Sequence, residues 1–330
     1  LDEYDNAAAC FKKCLSLEGD DAYAYCYLGE CYEQQDYLKD ARYCYNKALE
    51  LDPLLADAWL GIGIVNDLEG DTKTGIAYIQ KAIEILRKKG ASVAAKRAEK
   101  SANEGLVVIK VSDDKKSATI LEINCETDFV AKSEDFVNLA KFVLDAAHKY
   151  KPKNVPELMN HAEVQDKINE MLGKVGEKIE ISRFNIIESA SGLLVDYIHM
   201  GSKLGVLIKF EDVNSGADEL YAIGKDMAMQ VAAMNPISVK REDVPKIVID
   251  KEIEIYKELA KKEGKPEQML EKIAMGRLNK FYQENVLLEQ AFIKDNSKTV
   301  GDLLKEFNSK HGSSAKVSRF DRFHLGDEKK

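Results

Sequence analysis

The chain has 330 residues, 45% hydrophobic and 32% charged, with six prolines. That makeup argues against wholesale disorder, and at domain sizes of roughly 100 to 200 residues the length leads us to expect two or more domains. The net charge of −9 and pI near 5.3 argue against nucleic acid as a partner, because a phosphate-binding surface carries a basic surplus. No stretch approaches the roughly 18 to 20 apolar residues of a membrane helix, and no basic leader precedes an apolar run, so a cytoplasmic location without a membrane partner is expected. The start at Leu1 rather than at methionine points to a fragment or a processed form.

Shifted by 34 positions against itself, the first third aligns Ala7, Phe11, Cys14, Leu15 and Leu17 with Ala41, Tyr45, Ala48, Leu49 and Leu51. A third copy places Gly75, Ile79, Ala82, Ile83 and Ile85 at the same offset, preceded by Trp59, Ile62 and Gly63 where the second has Tyr25, Leu28 and Gly29. This period, with small residues where two helices cross and Asp52-Pro53 closing one unit, resembles the tetratricopeptide repeat. The resemblance implies an all-α solenoid over residues 1–86, its first copy (1–18) supplying only a second helix, with a groove for a further protein ligand. Nothing basic or charge-clamped is evident at the groove positions, so a scaffold remnant is the plainer reading of the residues. Five of the six cysteines lie here (Cys10, Cys14, Cys26, Cys31, Cys44), with Cys125 apart, and none has a CxxC or Cys/His spacing. They read as small buried apolar thiols, and with the five histidines scattered, neither a metal nor a cofactor is expected.

Gly90 predicts an interruption in the last repeat helix, and the Ala- and Lys-rich run 91–102 reads as a helical linker. From residue 105 the pattern changes to strands at 106–111 and 117–125 about a turn at 113–116, then a helix at 133–149. The same order recurs as strands at 193–200 and 205–211 about 201–203, then a helix at 217–233. Phe136, Leu139, Val143 and Ala147 match Leu220, Ile223, Met227 and Val231 at an offset of 84, whereas Ile120 matches Val206 at 86. The first copy therefore has the longer strand-to-helix loop. It reads Asn124-Cys125-Glu126-Thr127-Asp128-Phe129-Val130-Ala131-Lys132, against Val213-Asn214-Ser215-Gly216 in the second. A connection that one copy closes with small polar residues does not need a phenylalanine in the other, which makes Phe129 a candidate anchor for a partner. From the residues alone, the plainer expectation for a lone loop phenylalanine is that it folds back onto the sheet as a satellite core residue.

Residues 244–281 are rich in helix formers and broken only at Gly264-Lys265-Pro266, predicting two antiparallel helices with facing stripes of Ile249, Ile253 and Tyr256 and of Leu270, Ile273 and Phe281. Residues 299–308 predict a short amphipathic helix.

The run Thr127-Asp128-Phe129-Val130 with Phe136 seven residues after Phe129, the runs Tyr197-Ile198-His199 and Gly205-Val206-Leu207, and the segments 276–281, 297–304 and 82–105 resemble the elongation factor Ts family over about residues 82–330. The resemblance implies an α+β protein: after the solenoid and a linker at 87–104, a duplicated β-hairpin/helix core with an N-subdomain (105–182) and a C-subdomain (183–243 and 282–298), a coiled-coil arm (244–281) and a C-terminal module (299–330). It also implies guanine-nucleotide exchange on elongation factor Tu, in which Phe129 enters an apolar slot and Asp128 disturbs the magnesium and phosphate region. No bond is made or broken, so no enzyme is expected, and no Walker A, HExxH or GxSxG run is present. His199 and Gly201 in the second hairpin and Lys96 in the linker match further contacts of the family. The alternative is a repeat-based interaction scaffold carrying an impaired exchange module, since repeat helices stand where the family has its first two helices.

Overall fold

The structure, a computed structural model, describes residues 2–327, the side chains of Asp2 and Glu18 excepted. It divides into two units, 1–101 with 161–179 and 102–160 with 180–330.

The first unit is helical. Helix α1 (Asp2–Glu18) packs on α2 (Ala22–Gln34), which pairs with α3 (Leu38–Leu51), as α4 (Ala56–Leu68) pairs with α5 (Thr72–Arg97). Aspartates start two of them: Asp21 accepts the N–H of Ala24 at 2.7 Å and Asp71 that of Thr74 at 3.2 Å. The 34-residue period reappears in the packing. A Cβ on Gly29 would lie 2.9 Å from the Tyr45 ring, and one on Gly63 would lie 2.7 Å from Ile79, the residue one period after Tyr45. Trp59 Nε1 donates to the Pro53 carbonyl at 2.9 Å, closing the turn between repeats. Cys26, Cys31 and Cys44 are buried as expected, and burial pushes the thiols of Cys26 and Cys44 up to about 12 and about 11. Cys10, by contrast, is exposed and Cys14 half-buried.

Beyond α5 the chain runs through strands β1 (Glu104–Val111) and β2 (Ser117–Cys125), the single turn α6 (Asp128–Lys132), α7 (Glu134–Tyr150) and the short α8 (Val155–Met159). It then contributes α9 (Ala162–Val175) to the first unit. The expected interruption at Gly90 is absent: α5 continues through it to Arg97. Gly90 is instead buried at the crossing of α5 with α9, where a Cβ would sit 1.8 Å from the Asn169 carbonyl oxygen; reciprocally, one on Gly173 would sit 2.2 Å from that of Leu86. Arg87 locks the crossing through Asp166 at 3.0 Å and Glu170 at 2.8 Å.

The second unit continues with β3 (Ile179–Glu188), β4 (Leu193–Ile198), β5 (Leu204–Glu211), α10 (Ala217–Met234), α11 (Lys246–Lys262), α12 (Leu270–Asn285), the small hairpin β6 (Ala291–Phe292) and β7 (Asp295–Thr299), α13 (Val300–His311) and β8 (Lys316–His324). Its strands form two three-stranded sheets, β1-β2-β3 and β4-β5-β8. Between them lie Val107, Ala118, Ile120, Ile187, Leu194, Leu207 and Phe323. Gly205 allows the close approach, since a Cβ there would meet Val107 at 2.6 Å. Helix α7 packs on the first sheet and α10 on the second, where Val195, Phe210, Leu220, Met227 and Val231 join Val300, Leu304 and Phe307 of α13. The third strand of each sheet was not anticipated. Helices α11 and α12 form an antiparallel hairpin turned by Gly264 at φ +73 and tied by Arg277 to Glu263 at 2.7 Å and by Lys257 to Glu271. Among the described residues, no helix is long and apolar enough to cross a membrane.

Candidate functional site

The segment between β2 and α7 is less of a loop than its sequence predicts. Asn124 and Cys125 belong to β2 and are buried, and residues 128–132 wind into the single turn α6. Two hydroxyl residues close that turn. Thr127 Oγ1 accepts the N–H of Val130 at 3.4 Å, and the Cys125 thiol donates to the Thr127 carbonyl at 3.2 Å. At the other end the Ser133 hydroxyl donates to the Val130 carbonyl at 2.8 Å and accepts the N–H of Phe136 at 3.3 Å, starting α7. The turn is thereby held from both sides, with Ala131 as its buried foot.

The two phenylalanines seven residues apart have opposite roles. Phe136 is fully buried, whereas Phe129 is 83% exposed, so it does not fold back onto the sheet. Asp128 is beside it and half-exposed, with Lys132 Nζ 2.7 Å from Oδ2. That hydrogen bond, with a smaller contribution from Lys203, holds the Asp128 carboxyl below the usual carboxylate range.

The second hairpin presents its own tip. His199 N–H donates to Leu204 O, and Ser202 N–H to His199 O, both at 2.9 Å, forming a turn in which Gly201 (φ +90) and Ser202 (φ +54) occupy the left-handed region. His199 is exposed, with Nδ1 3.0 Å from the Tyr197 hydroxyl. Val107 N–H donates to Ser202 O at 2.6 Å, binding this tip to β1, the strand against which α6 also rests. The fold thus brings Thr127, Asp128, Phe129 and Val130 to the same end of the second unit as His199 and Gly201. Lys96, exposed in the last turn of α5, belongs to the first unit.

Met200, 92% exposed between His199 and Gly201, escaped the sequence reading; its only signal was an apolar side chain in a polar turn. The described residues contain no group of three His, Cys, Asp or Glu side chains able to hold a metal ion. An exposed aromatic on a capped turn, flanked by a second exposed tip, is suited to docking on a protein.

Comparison with known proteins matches the chain to two families. Family models for the tetratricopeptide repeat match residues 1–21 and 22–55, and the model for elongation factor Ts matches residues 126–327. The chain is 43% identical over 274 residues to the elongation factors Ts of Chlorobium phaeobacteroides and Prosthecochloris aestuarii, covering 81% of this chain and 94% of each relative. It is 44% identical over 274 residues to that of Chlorobaculum parvum, with the same coverage. Alignments of this length begin upstream of Ala82, earlier than the sequence motifs indicate. Carrying tetratricopeptide repeats ahead of these matched segments, the chain belongs to the elongation factor Ts family.

Proposed function

We propose that the chain is a guanine-nucleotide exchange factor that promotes GDP release from elongation factor Tu by inserting the turn of Thr127, Asp128, Phe129 and Val130 near the nucleotide and its magnesium. The observation that carries this reading is the exposure of Phe129 on a turn fixed at both ends. Such a ring loses little conformational freedom on docking, and burying it on a partner yields the hydrophobic gain that its own fold leaves unused. Asp128 supplies a carboxylate beside the ring; its bond to Lys132 is surface-exposed and therefore weak enough to exchange for a new partner. A carboxylate brought close to phosphate oxygens repels them and competes for their cation. His199, Gly201 and Lys96 serve as further contacts.

Exchange requires that factor and nucleotide weaken each other's grip on the GTPase, and linkage makes the effect reciprocal. Excess GDP should therefore strip the factor from the GTPase. The test is release of a fluorescent GDP analogue from elongation factor Tu. Acceleration by catalytic amounts of the protein, with the complex dissociated by added GDP, is the expected result. No acceleration at any concentration would overturn the reading and leave the repeat-based scaffold as the alternative.

A further inference from the structure

We infer that the groove of the first unit between α2 and α4 docks a cationic protein segment, seating a lysine or arginine side chain of the partner over the Tyr45 hydroxyl. The groove has a volume of about 310 Å³ and is lined by Cys26, Tyr27, Glu30, Glu33, Tyr45, Asp57, Leu60, Gly61 and Ile64. Its floor is built by two glycines. Tyr45 rises from α3 between α2 and α4, where a Cβ on Gly29 would lie 2.9 Å from its ring and one on Gly61 2.2 Å. The ring is buried, but its hydroxyl reaches the groove and donates to Glu33 Oε2 at 2.8 Å.

Three carboxylates from two helices, Glu30 and Glu33 on α2 and Asp57 on α4, face this opening, and none has an ion-pair partner within 4 Å among the described residues. They do not converge on a single point as ligands of one metal ion, which favours an extended cation over a divalent ion. Tyr27, 46% exposed, and Leu60, 41% exposed, flank the acids and can cover the methylene stem of a long cationic side chain while its head meets the carboxylates. Charge is also segregated along the chain. Residues 1–86 contain 17 Asp and Glu against seven Lys and Arg, a net −10, whereas the entire chain carries −9. The acidic character of the protein belongs to its repeats, where it steers a cationic partner toward the groove. This inference is independent of the exchange reading.

The experiment is fluorescence anisotropy of the full chain with short labelled peptides of alternating arginine and leucine, against isosteres carrying glutamine or glutamate in place of arginine. The groove variant Glu30→Gln/Glu33→Gln/Asp57→Asn is compared with Glu3→Gln/Asp36→Asn/Asp67→Asn, which removes equal charge from the same unit elsewhere. Expected are binding of the arginine peptide about tenfold or more tighter than of the glutamine peptide, the same loss in the groove variant, and little change in the control variant. Thermal melts establish that both variants are folded; should the triple groove variant not fold, Glu30→Gln alone, at an exposed position, must weaken binding severalfold. Equal affinity for the arginine and glutamine peptides, or equal losses in both charge variants, would overturn the inference.

Discussion

Phe129→Ala separates docking from folding. The ring is 83% exposed, so its removal deletes almost no native contact, and the change in stability should stay within about 0.5 kcal/mol. In the complex the same ring contributes about 1.5–3 kcal/mol if it is buried, the range for a fully sequestered phenylalanine, and central aromatic anchors commonly cost 2 kcal/mol or more on truncation. At 1.4 kcal/mol per decade this is roughly a 10- to 150-fold loss in the second-order rate constant for catalysed GDP release. Stopped-flow release at subsaturating factor measures it, and a thermal melt of the free protein supplies the control. Phe136→Ala should behave oppositely, because Phe136, in the first turn of α7, is fully buried; a large-to-small change there costs about 3–5 kcal/mol of stability. A Phe129→Ala protein that exchanges within about threefold of its parent, or one whose melting temperature collapses, would refute the argument.

Two further outcomes follow from the packing. Gly90→Ala adds a good helix former to α5, worth about 1 kcal/mol on propensity alone, yet the new Cβ would stand 1.8 Å from the Asn169 carbonyl oxygen. Pushing α9 away should outweigh the gain, so thermal circular dichroism should show a melting temperature several degrees lower, and a rise would disprove the close crossing. His148, hydrogen-bonded to the buried Thr119 at 2.9 Å, is held below the usual histidine range first by burial and then by Lys110 and Lys151. The unfolded chain therefore takes up the proton more readily; the stabilisation is complete above the unfolded value of about 6.5 and is lost as pH falls from there through the folded value. Urea midpoints should drop between about pH 7.5 and 5, less steeply in His148→Gln, and identical slopes would exclude His148 as the source.

What the sequence determined by itself was whatever repeats over short distances. The 34-residue offset marked the solenoid because each repeat places Gly29 or Gly63 against the residue 16 positions later, Tyr45 or Ile79. The hairpin β1–β2, the hairpin β4–β5 and the helix after each were visible because strand alternation and helical spacing are local signals. The unequal connection between the two copies singled out Phe129 without reference to any relative. What remained open was whether that ring turned inward or outward, and the tertiary structure decided it: Thr127 and Ser133 wind the segment into a capped turn whose buried foot is Ala131, leaving Phe129 in solvent.

Other features depend on contacts between distant parts of the chain, to which a local pattern is blind. β8 joins β5 across more than 100 residues, and its Arg319, Asp321 and Arg322 mask the alternation that would mark a strand. Helix α9, not anticipated from the sequence, groups with the first unit because Gly90 and Gly173 let its backbone meet that of α5. Gly90 illustrates the limit most directly. In sequence, a glycine near a helix end signals a stop, since it lacks the side chain that favours the helical state; in the folded protein the same missing atom is what allows a second helix to pack there.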